Sequence, residues 1–259
     1  MAQAPTILVF DSGLGGLTVF REARAARPDA RFVYIADDAG FPYGELGEPV
    51  LISRVIEVLG NAITEYKPDL VVVACNTAST LALAELRARF AVPFVGTVPA
   101  IKPACARSAS KLVSVLGTQA TVDREYTRAL IREFADGCTV HLVGSSRLAM
   151  FAEAELAGDP PSDAAISQEI AGCFVENAGN RTDTIVLACT HYPLLLHRFR
   201  VNAPWPVTWL DPAPAIARRV ADLIGDRTAS SPPPPPRISF TSGRAPASAL
   251  ATALGGYGF

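Results

Sequence analysis

Two cysteines, Cys75 and Cys189, each end an apolar run and precede a segment of helical character. The stretches DLVVVAC and DTIVLAC align without a gap at an offset of 114 residues (189 minus 75) and match at Asp, Val, Ala and Cys. The dipole of a following helix favours the thiolate, so both cysteines are predicted to be reactive. Two thiols on opposite sides of a tetrahedral carbon could remove a proton from one face and deliver one to the other. The pair therefore predicts inversion of a stereocentre.

Polar residues follow the apolar runs at the same relative position as the two cysteines. Ligands of open α/β sheets bind beyond the carboxyl ends of the strands, where helix N-termini present unpaired N–H groups, so these residues are predicted to share one cleft. Asp11 near one thiol and His191 near the other are predicted to make the thiols chemically unequal. The cleft candidates are Asp11, Ser12, Cys75, Asn76, Thr77, Thr118, Cys189, Thr190 and His191.

The same residues allow other interpretations. Buried cysteines are common at strand ends, and a disulfide between Cys75 and Cys189 would need an oxidising compartment. A zinc site from both thiols, His191 and Asp11 lacks the usual ligand spacing, so no metal is predicted. Asp11 and Ser12 could simply cap the helix after GLGG, whose spacing is neither GxGxxG nor a P-loop. The remaining cysteines and histidines are interpreted as core or surface residues: Cys105, Cys138, Cys173, His141 and His197.

Apolar runs of strand length recur along the chain and alternate with segments of helical period. The predicted strands are TILVF (6–10), RFVYIAD (31–37), DLVVVAC (69–75), PFVGTV (93–98), KLVSVLGT (111–118), TVHLVG (139–144) and DTIVLAC (183–189). The predicted helices are LTVFREARAARP (17–28), PVLISRVIEVLGNAITEYKP (49–68), STLALAELRARF (79–90) and VDREYTRALIREFAD (122–136). Continuously apolar strands alternating with amphipathic helices indicate an α/β protein with mostly parallel sheets covered on both faces. The internal repeat, DLVVVAC and DTIVLAC, predicts two related α/β halves.

The last fifty residues have a different pattern. WLDPAPAIARRVADLIGDR (209–227) predicts a loop and a helix, and the five consecutive prolines of 232–236 predict an extended linker within 231–237. RISFTSG (237–243) predicts a final strand and ASALATAL (247–254) a final helix.

Composition narrows the class of partner. The chain has 259 residues, 49% of them hydrophobic, with 23 Lys and Arg against 25 Asp and Glu for a net charge of −2. This balance gives no excess positive charge with which to bind nucleic acid or an anionic membrane, and it favours a small molecule or a protein surface as the partner. The sequence has no signal-peptide pattern and no uncharged run of membrane-spanning length, so a cytoplasmic protein is predicted.

Six stretches together resemble the glutamate racemase family of the aspartate/glutamate racemase superfamily. They are VFDSGLGGLTVFREA (9–23), YIADDAGFPYGELG (34–47), ACNTAST (74–80), GTQATV (117–122), SSRLAMFAEAEL (145–156) and LACTHYPLLL (187–196). Asp38 departs from the family pattern, in which threonine is frequent there. The resemblance implies racemisation of glutamate without a cofactor, which supplies D-glutamate for peptidoglycan.

The resemblance also implies residue roles. Cys75 and Cys189 would be acid and base, with Cys189 deprotonating L-glutamate and Cys75 D-glutamate. Asp11 and His191 would tune the thiols, and Glu153, two residues before a second glutamate, would assist. Substrate would be held by Asp11, Ser12, Pro42, Tyr43, Gly44, Cys75, Asn76, Thr77, Thr118, Thr121, Cys189, Thr190 and His191.

Family architecture implies a discontinuous first domain, 1–98 plus 208–259, with a second domain at 99–207 and the active site between them. Homodimers are common in the family. Three alternatives remain: an aspartate or hydantoin racemase; a lyase, against which the second thiol argues; and, from a different class, a non-catalytic binder or inhibitor protein.

Overall fold

The structure is a computed structural model that describes residues 4–177, 179–226 and 232–259. Most of the described strands form two parallel sheets, as the continuous apolar runs predicted. The strands are β1 (Thr6–Asp11), β2 (Arg31–Ala36), β3 (Leu70–Val73), β4 (Phe94–Gly96), β5 (Leu112–Thr118), β6 (Thr139–Ser145), β7 (Glu176–Asn177), β8 (Asn180–Arg181), β9 (Thr184–Ala188), β10 (Thr208–Leu210) and β11 (Arg237–Phe240).

Helices connect these strands, and all four predicted helical segments form helix. The α-helices are α1 (Leu17–Ala26), α2 (Glu48–Tyr66), α3 (Asn76–Arg89), α4 (Ile101–Arg107), α5 (Gln119–Val122), α6 (Glu125–Phe134), α7 (Leu148–Leu156), α8 (Asp163–Ile170), α9 (Leu196–Asn202), α10 (Ala213–Ile224) and α11 (Ser248–Tyr257). The segment 122–136 contributes mainly α6, and α3 begins three residues earlier than predicted, directly after Cys75.

The first sheet has the order β11-β2-β1-β3-β4 and the second the order β10-β9-β5-β6, and all pairs within both are parallel. In β1, Ile7 and Val9 pack into one apolar cluster, whereas Leu8 and Phe10 pack into another on the opposite face. Helices cover both faces, which is why the strand is apolar at each of its four central positions, 7 to 10. The chain thus forms two α/β domains.

The internal repeat of the sequence corresponds to equivalent strand pairs in the two sheets. β1 pairs with β3 in the first sheet, and β5 pairs with β9 in the second. TILVFDSG and KLVSVLGT are therefore equivalent strands, and so are the strands that lead to Cys75 and Cys189.

The C-terminal segment crosses back to the first sheet. β10 still pairs with β9 of the second sheet, whereas α10 packs on α1 and β11 pairs with β2. The division of the chain at 208 stays a prediction; in the sheet pairing, the return to the first sheet follows Leu210. The proline run at 232–236 has no regular secondary structure, and residue 231 of the predicted linker lies outside the described residues.

Candidate active site

The carboxyl ends of the central strands of both sheets face one small cavity. Both Cys75 and Cys189 contribute to its wall, together with most of the residues that the sequence singled out. The cavity is lined by Ser12, Phe41, Pro42, Tyr43, Gly44, Cys75, Asn76, Thr77, Thr118, Ala149, Cys189, Thr190 and His191. Its free volume is about 20 Å³, roughly the space of one water molecule. A roomier cavity of about 400 Å³, between the end of β4 and α10, contains neither thiol.

Cys75 lies at the N-terminus of α3, as predicted, but its surroundings oppose ionisation. Burial, and then the negative charge of Asp11, raise the pKa of the Cys75 thiol to about 12. The Sγ atom lies 3.7 Å from the hydroxyl oxygen of Ser12. Burial therefore opposes the thiolate form that a position at a helix N-terminus favours, and the reactivity of Cys75 stays a prediction.

Cys189 has a different partner. Its Sγ atom lies 3.8 Å from Nδ1 of His191, whose Nε2 lies 2.8 Å from Oε1 of Glu153. Burial by itself lowers the pKa of His191, but the contacts with Cys189 and Glu153 outweigh burial and hold it well above its usual value. A protonated imidazole next to Cys189 would stabilise its thiolate.

The turn after Cys189 begins differently from α3. Tyr192–Leu195 form a 3₁₀ turn, and the α-helix α9 starts only at Leu196. Pro193 suits the first turn of a helix, and helical structure does begin at Tyr192, but as a 3₁₀ turn rather than as an α-helix. The raised pKa of His191 makes its imidazole, rather than the end of a long helix, the candidate source of positive charge near Cys189.

Asp11 connects the two halves of the site. Its carboxylate is fully buried and accepts hydrogen bonds from the backbone N–H of Gly13 at 3.1 Å and from the Thr190 hydroxyl at 3.1 Å. It lies in the first domain yet binds the turn that carries Cys189 and His191. Its charge also acts on Cys75, so Asp11 is linked to both thiols.

Polar side chains line the cavity wall next to Cys75, and that of Asn76 has no hydrogen-bond partner among the described residues. The amide oxygen and nitrogen of Asn76 are buried and make no hydrogen bond. The hydroxyl of Thr77 lies 3.4 Å from that of Thr118 and 3.5 Å from that of Thr121, which itself is 2.9 Å from Thr118. Because buried amides are nearly always hydrogen-bonded, Asn76 indicates a polar ligand in the cavity.

The turn Pro42-Tyr43-Gly44 closes one side of the cavity. The Tyr43 hydroxyl donates to Oδ2 of Asp37 at 2.5 Å, and Arg54 binds both oxygens of that carboxylate at 2.6 and 2.7 Å. The Tyr43 hydroxyl is thus engaged away from the cavity. What the turn offers to a ligand is its backbone.

Three features of the site were not predicted from the sequence. A Cβ atom at Gly15 would overlap the ring of His191, and one at Gly13 would overlap the carboxylate of Glu153, so GLGG is a surface for close approach rather than a phosphate loop. The N–H of Leu14 donates to Oε1 of Glu153 at 2.6 Å. The ring of Phe41 lies 5.4 Å from that of His191.

Neither a metal-binding cluster nor a membrane-spanning helix is present among the described residues. Across 4–177, 179–226 and 232–259, no group of three or more His, Cys, Asp or Glu side chains could hold a metal ion. Within those same ranges, no helix has the length and apolar character needed to cross a membrane. All five cysteines are free thiols.

Known proteins resemble this chain over most of its length. The Asp/Glu/hydantoin racemase family model matches residues 18–220. A glutamate racemase of Brucella anthropi is 59% identical over 229 residues, which cover 88% of this chain and 82% of that protein. The structure of Escherichia coli glutamate racemase with L-glutamate and the activator UDP-MurNAc-Ala has a TM-score of 0.91 and 38% identity, covering 99% of this chain and 96% of that one. Thermus thermophilus glutamate racemase with β-chloro-D-alanine has a TM-score of 0.73 and 29% identity, with coverages of 97% and 93%.

Proposed function

This chain belongs to the Asp/Glu/hydantoin racemase family, and on that premise we propose that it interconverts L- and D-glutamate by proton transfer between two thiols. One observation carries the proposal: the equivalent cysteines of the two domains line one cavity with unlike neighbours. Cys75 is kept as a thiol by burial, whereas Cys189 lies beside a histidine with a raised pKa. A racemase needs an acid on one face of the carbon and a base on the other.

In the L to D direction, the proton that leaves the substrate is replaced by one from the enzyme. The Cys189 thiolate takes the α-proton, the bond electrons remain on the substrate, and its carboxylate spreads the charge. The Cys75 thiol then gives its proton to the opposite face of the α-carbon. The enzyme is left with a Cys189 thiol and a Cys75 thiolate, and proton exchange with solvent restores the first state. The roles reverse for D-glutamate.

Substrate recognition can come from the polar groups around the cavity. The unpartnered amide of Asn76 can both donate and accept, and the first turn of α3 presents backbone N–H groups to an anion. Thr118 and Thr121 face Thr77 from the second domain. These donors would hold the carboxylates and so stabilise the charge that develops as the α-proton leaves.

Substrate can enter only if the cleft widens, because the free volume near the thiols is far smaller than glutamate. The contacts that must yield lie between the domains. They are Leu14 N–H to Glu153 at 2.6 Å, Thr190 to Asp11 at 3.1 Å, and Thr18 Oγ1 to the Thr190 carbonyl at 3.3 Å. Movement of the domains that admits substrate would therefore break the hydrogen bond between Glu153 and Leu14, and closure of the cleft would form it again.

The product of this reaction suggests the cellular process that the protein would serve. D-Glutamate made in this way would supply peptidoglycan synthesis in the cytoplasm. A homodimer and the division into 1–98 plus 208–259 and 99–207 stay predictions.

The test is incubation of the protein with L-glutamate in deuterated water without pyridoxal phosphate. We expect D-glutamate with deuterium at the α-carbon, measured by chiral chromatography and mass spectrometry. A Cys105→Ser variant, which changes a buried thiol outside the cavity, should keep this activity. Exchange with aspartate but not with glutamate would refute the substrate, and binding of glutamate without exchange would favour the non-catalytic alternative.

A further inference from the structure

The last strand of the chain ends beside the loop that forms one wall of the cavity. β11 pairs in parallel with β2, with Phe240 opposite Ala36. The Thr241 N–H continues this pairing by donating to the Ala36 carbonyl at 3.0 Å. Because parallel strands end at the same sheet edge, the residues after each strand meet. Thr241 and Ser242 therefore face Asp37 and Asp38.

The contacts between these two pairs are short and involve carboxylates. The Thr241 hydroxyl donates to Oδ1 of Asp37 at 2.5 Å and lies 3.3 Å from the N–H of Ala39, from which it accepts. Ser242 donates twice to Asp38, from its N–H at 2.9 Å and from its hydroxyl at 2.5 Å. Hydrogen bonds to ionised acceptors are roughly twice as strong as neutral ones.

The Asp37 carboxylate connects this contact to the cavity wall. It is fully buried and binds the Tyr43 hydroxyl and the Arg54 guanidinium as well as Thr241. Phe41, Pro42, Tyr43 and Gly44 line the cavity, so the carboxylate joins their loop to the C-terminal strand. A change at Thr241 would alter the position of a substrate-facing turn without touching the substrate.

We infer that Thr241 and Ser242 are positioning residues for substrate binding, which act through Asp37 and Asp38 on the loop 37–44. This inference rests on the proposed function. The loop provides a wall and backbone groups rather than an acid or base, so its loosening weakens ground state and transition state alike. Uniform loss of binding raises KM and leaves kcat unchanged.

The test compares Thr241→Val with Thr241→Ser, which restores the hydroxyl. We expect Thr241→Val to raise KM for both enantiomers about tenfold with kcat within about twofold, since one charge-assisted hydrogen bond is lost. Ser242→Ala should raise KM about threefold, because its N–H bond to Asp38 remains. Thr241→Ser should return KM to near the original value.

The control is Thr252→Val, which removes an exposed hydroxyl that donates to the Ser248 carbonyl within α11. It should leave KM unchanged, which separates the loop from general damage to the C-terminal segment. Hydrogen–deuterium exchange of 37–46 should accelerate in Thr241→Val but not in Thr252→Val.

Unchanged KM and exchange in Thr241→Val, or equal effects in Thr252→Val, would overturn the inference. If the unaltered protein fails to racemise glutamate, the proposed function is wrong, and the exchange measurement still decides whether the hydroxyl holds the loop.

Discussion

Cys75 and Cys189 occupy equivalent places in two related domains, yet the ionisable groups beside them favour opposite charges. Cys75 has the Asp11 carboxylate and the Ser12 hydroxyl nearby, and its pKa is raised to about 12. Cys189 has the imidazole of His191, whose pKa lies well above its usual value. Sequence equivalence of the strands thus does not carry over to the chemistry of the thiols that follow them.

The difference separates the effect of the helix dipole on thiol ionisation from the effects of burial and neighbouring side chains. Cys75 precedes a full α-helix of 14 residues and Cys189 a 3₁₀ turn, so the helix dipole alone would make Cys75 the better thiolate. Burial opposes that effect at Cys75, because desolvation of a charge can exceed the stabilisation from half a unit charge at a helix end. We therefore expect individual neighbours, rather than secondary structure alone, to decide which thiol acts as the acid and which as the base.

The largest test of this comparison is removal of each thiol. Cys75→Ser and Cys189→Ser should each lower racemisation by about a hundredfold to ten-thousandfold, since a positioned acid or base contributes a factor of that size. The two variants should differ in α-proton exchange with deuterated water. Cys75→Ser should still exchange L-glutamate and Cys189→Ser should still exchange D-glutamate, as followed by NMR. Unchanged racemisation in either variant would refute the two-thiol model.

The second test removes the charge beside Cys189 alone. His191→Asn should lower kcat/KM about a hundredfold, because the Cys189 thiolate loses its cation. Since the equilibrium constant between enantiomers is unity, kcat/KM must fall equally in both directions. His197→Asn is the matched control, because His197 is 62% exposed on the surface of the second domain. Equal losses in both variants would argue against a specific role of His191.

A third test compares thiol reactivity across pH. With a pKa near 12, Cys75 is protonated at neutral pH, and its thiolate fraction rises about tenfold per pH unit below that value. Alkylation of Cys75 by iodoacetamide should therefore climb steadily from pH 7 to 10. Because His191 lies beside it, Cys189 should be labelled about tenfold faster than Cys75 at pH 8. Peptide mass spectrometry gives the rates, and faster labelling of Cys75 would reverse the assignment.

The smallest expected effect comes from removal of the Ser12 hydroxyl next to Cys75. Ser12→Ala removes the hydroxyl 3.7 Å from Cys75 and should lower kcat/KM about fivefold, as expected for a weak sulfur contact. Ser114→Ala is the control, because the Ser114 hydroxyl is buried in the second domain and donates to the Cys173 carbonyl. A loss in the control as large as in Ser12→Ala would mean that the effect is one of stability.

Much of the fold could be predicted because the signals are local. Apolar runs such as TILVF are long enough to indicate buried strands, and Cys75 and Cys189 were identified by their place after two such runs. The choice of Glu153 over Glu155 was given by family resemblance alone. In the structure Glu153 contacts His191, whereas Glu155 pairs with Arg198 on the far side of α7, since residues two apart point in different directions on a helix. The role of Glu153 stays a prediction.

The features that sequence reasoning missed join residues far apart in the chain. The bond from Leu14 N–H to Glu153 spans 139 positions, and that from Thr241 to Asp37 spans 204. No periodicity or spacing indicates such pairs, because they depend on how the two sheets and the C-terminal strand come together.

The sequence by itself determined the α/β pattern, the two equivalent strands and the pair of thiols at their ends, since hydrophobic period and residue type act over a few positions. The tertiary structure decided which group lies beside each thiol. Burial, the Asp11 carboxylate and the His191 imidazole act through space over a few ångströms, and only the packed arrangement of both domains places them there.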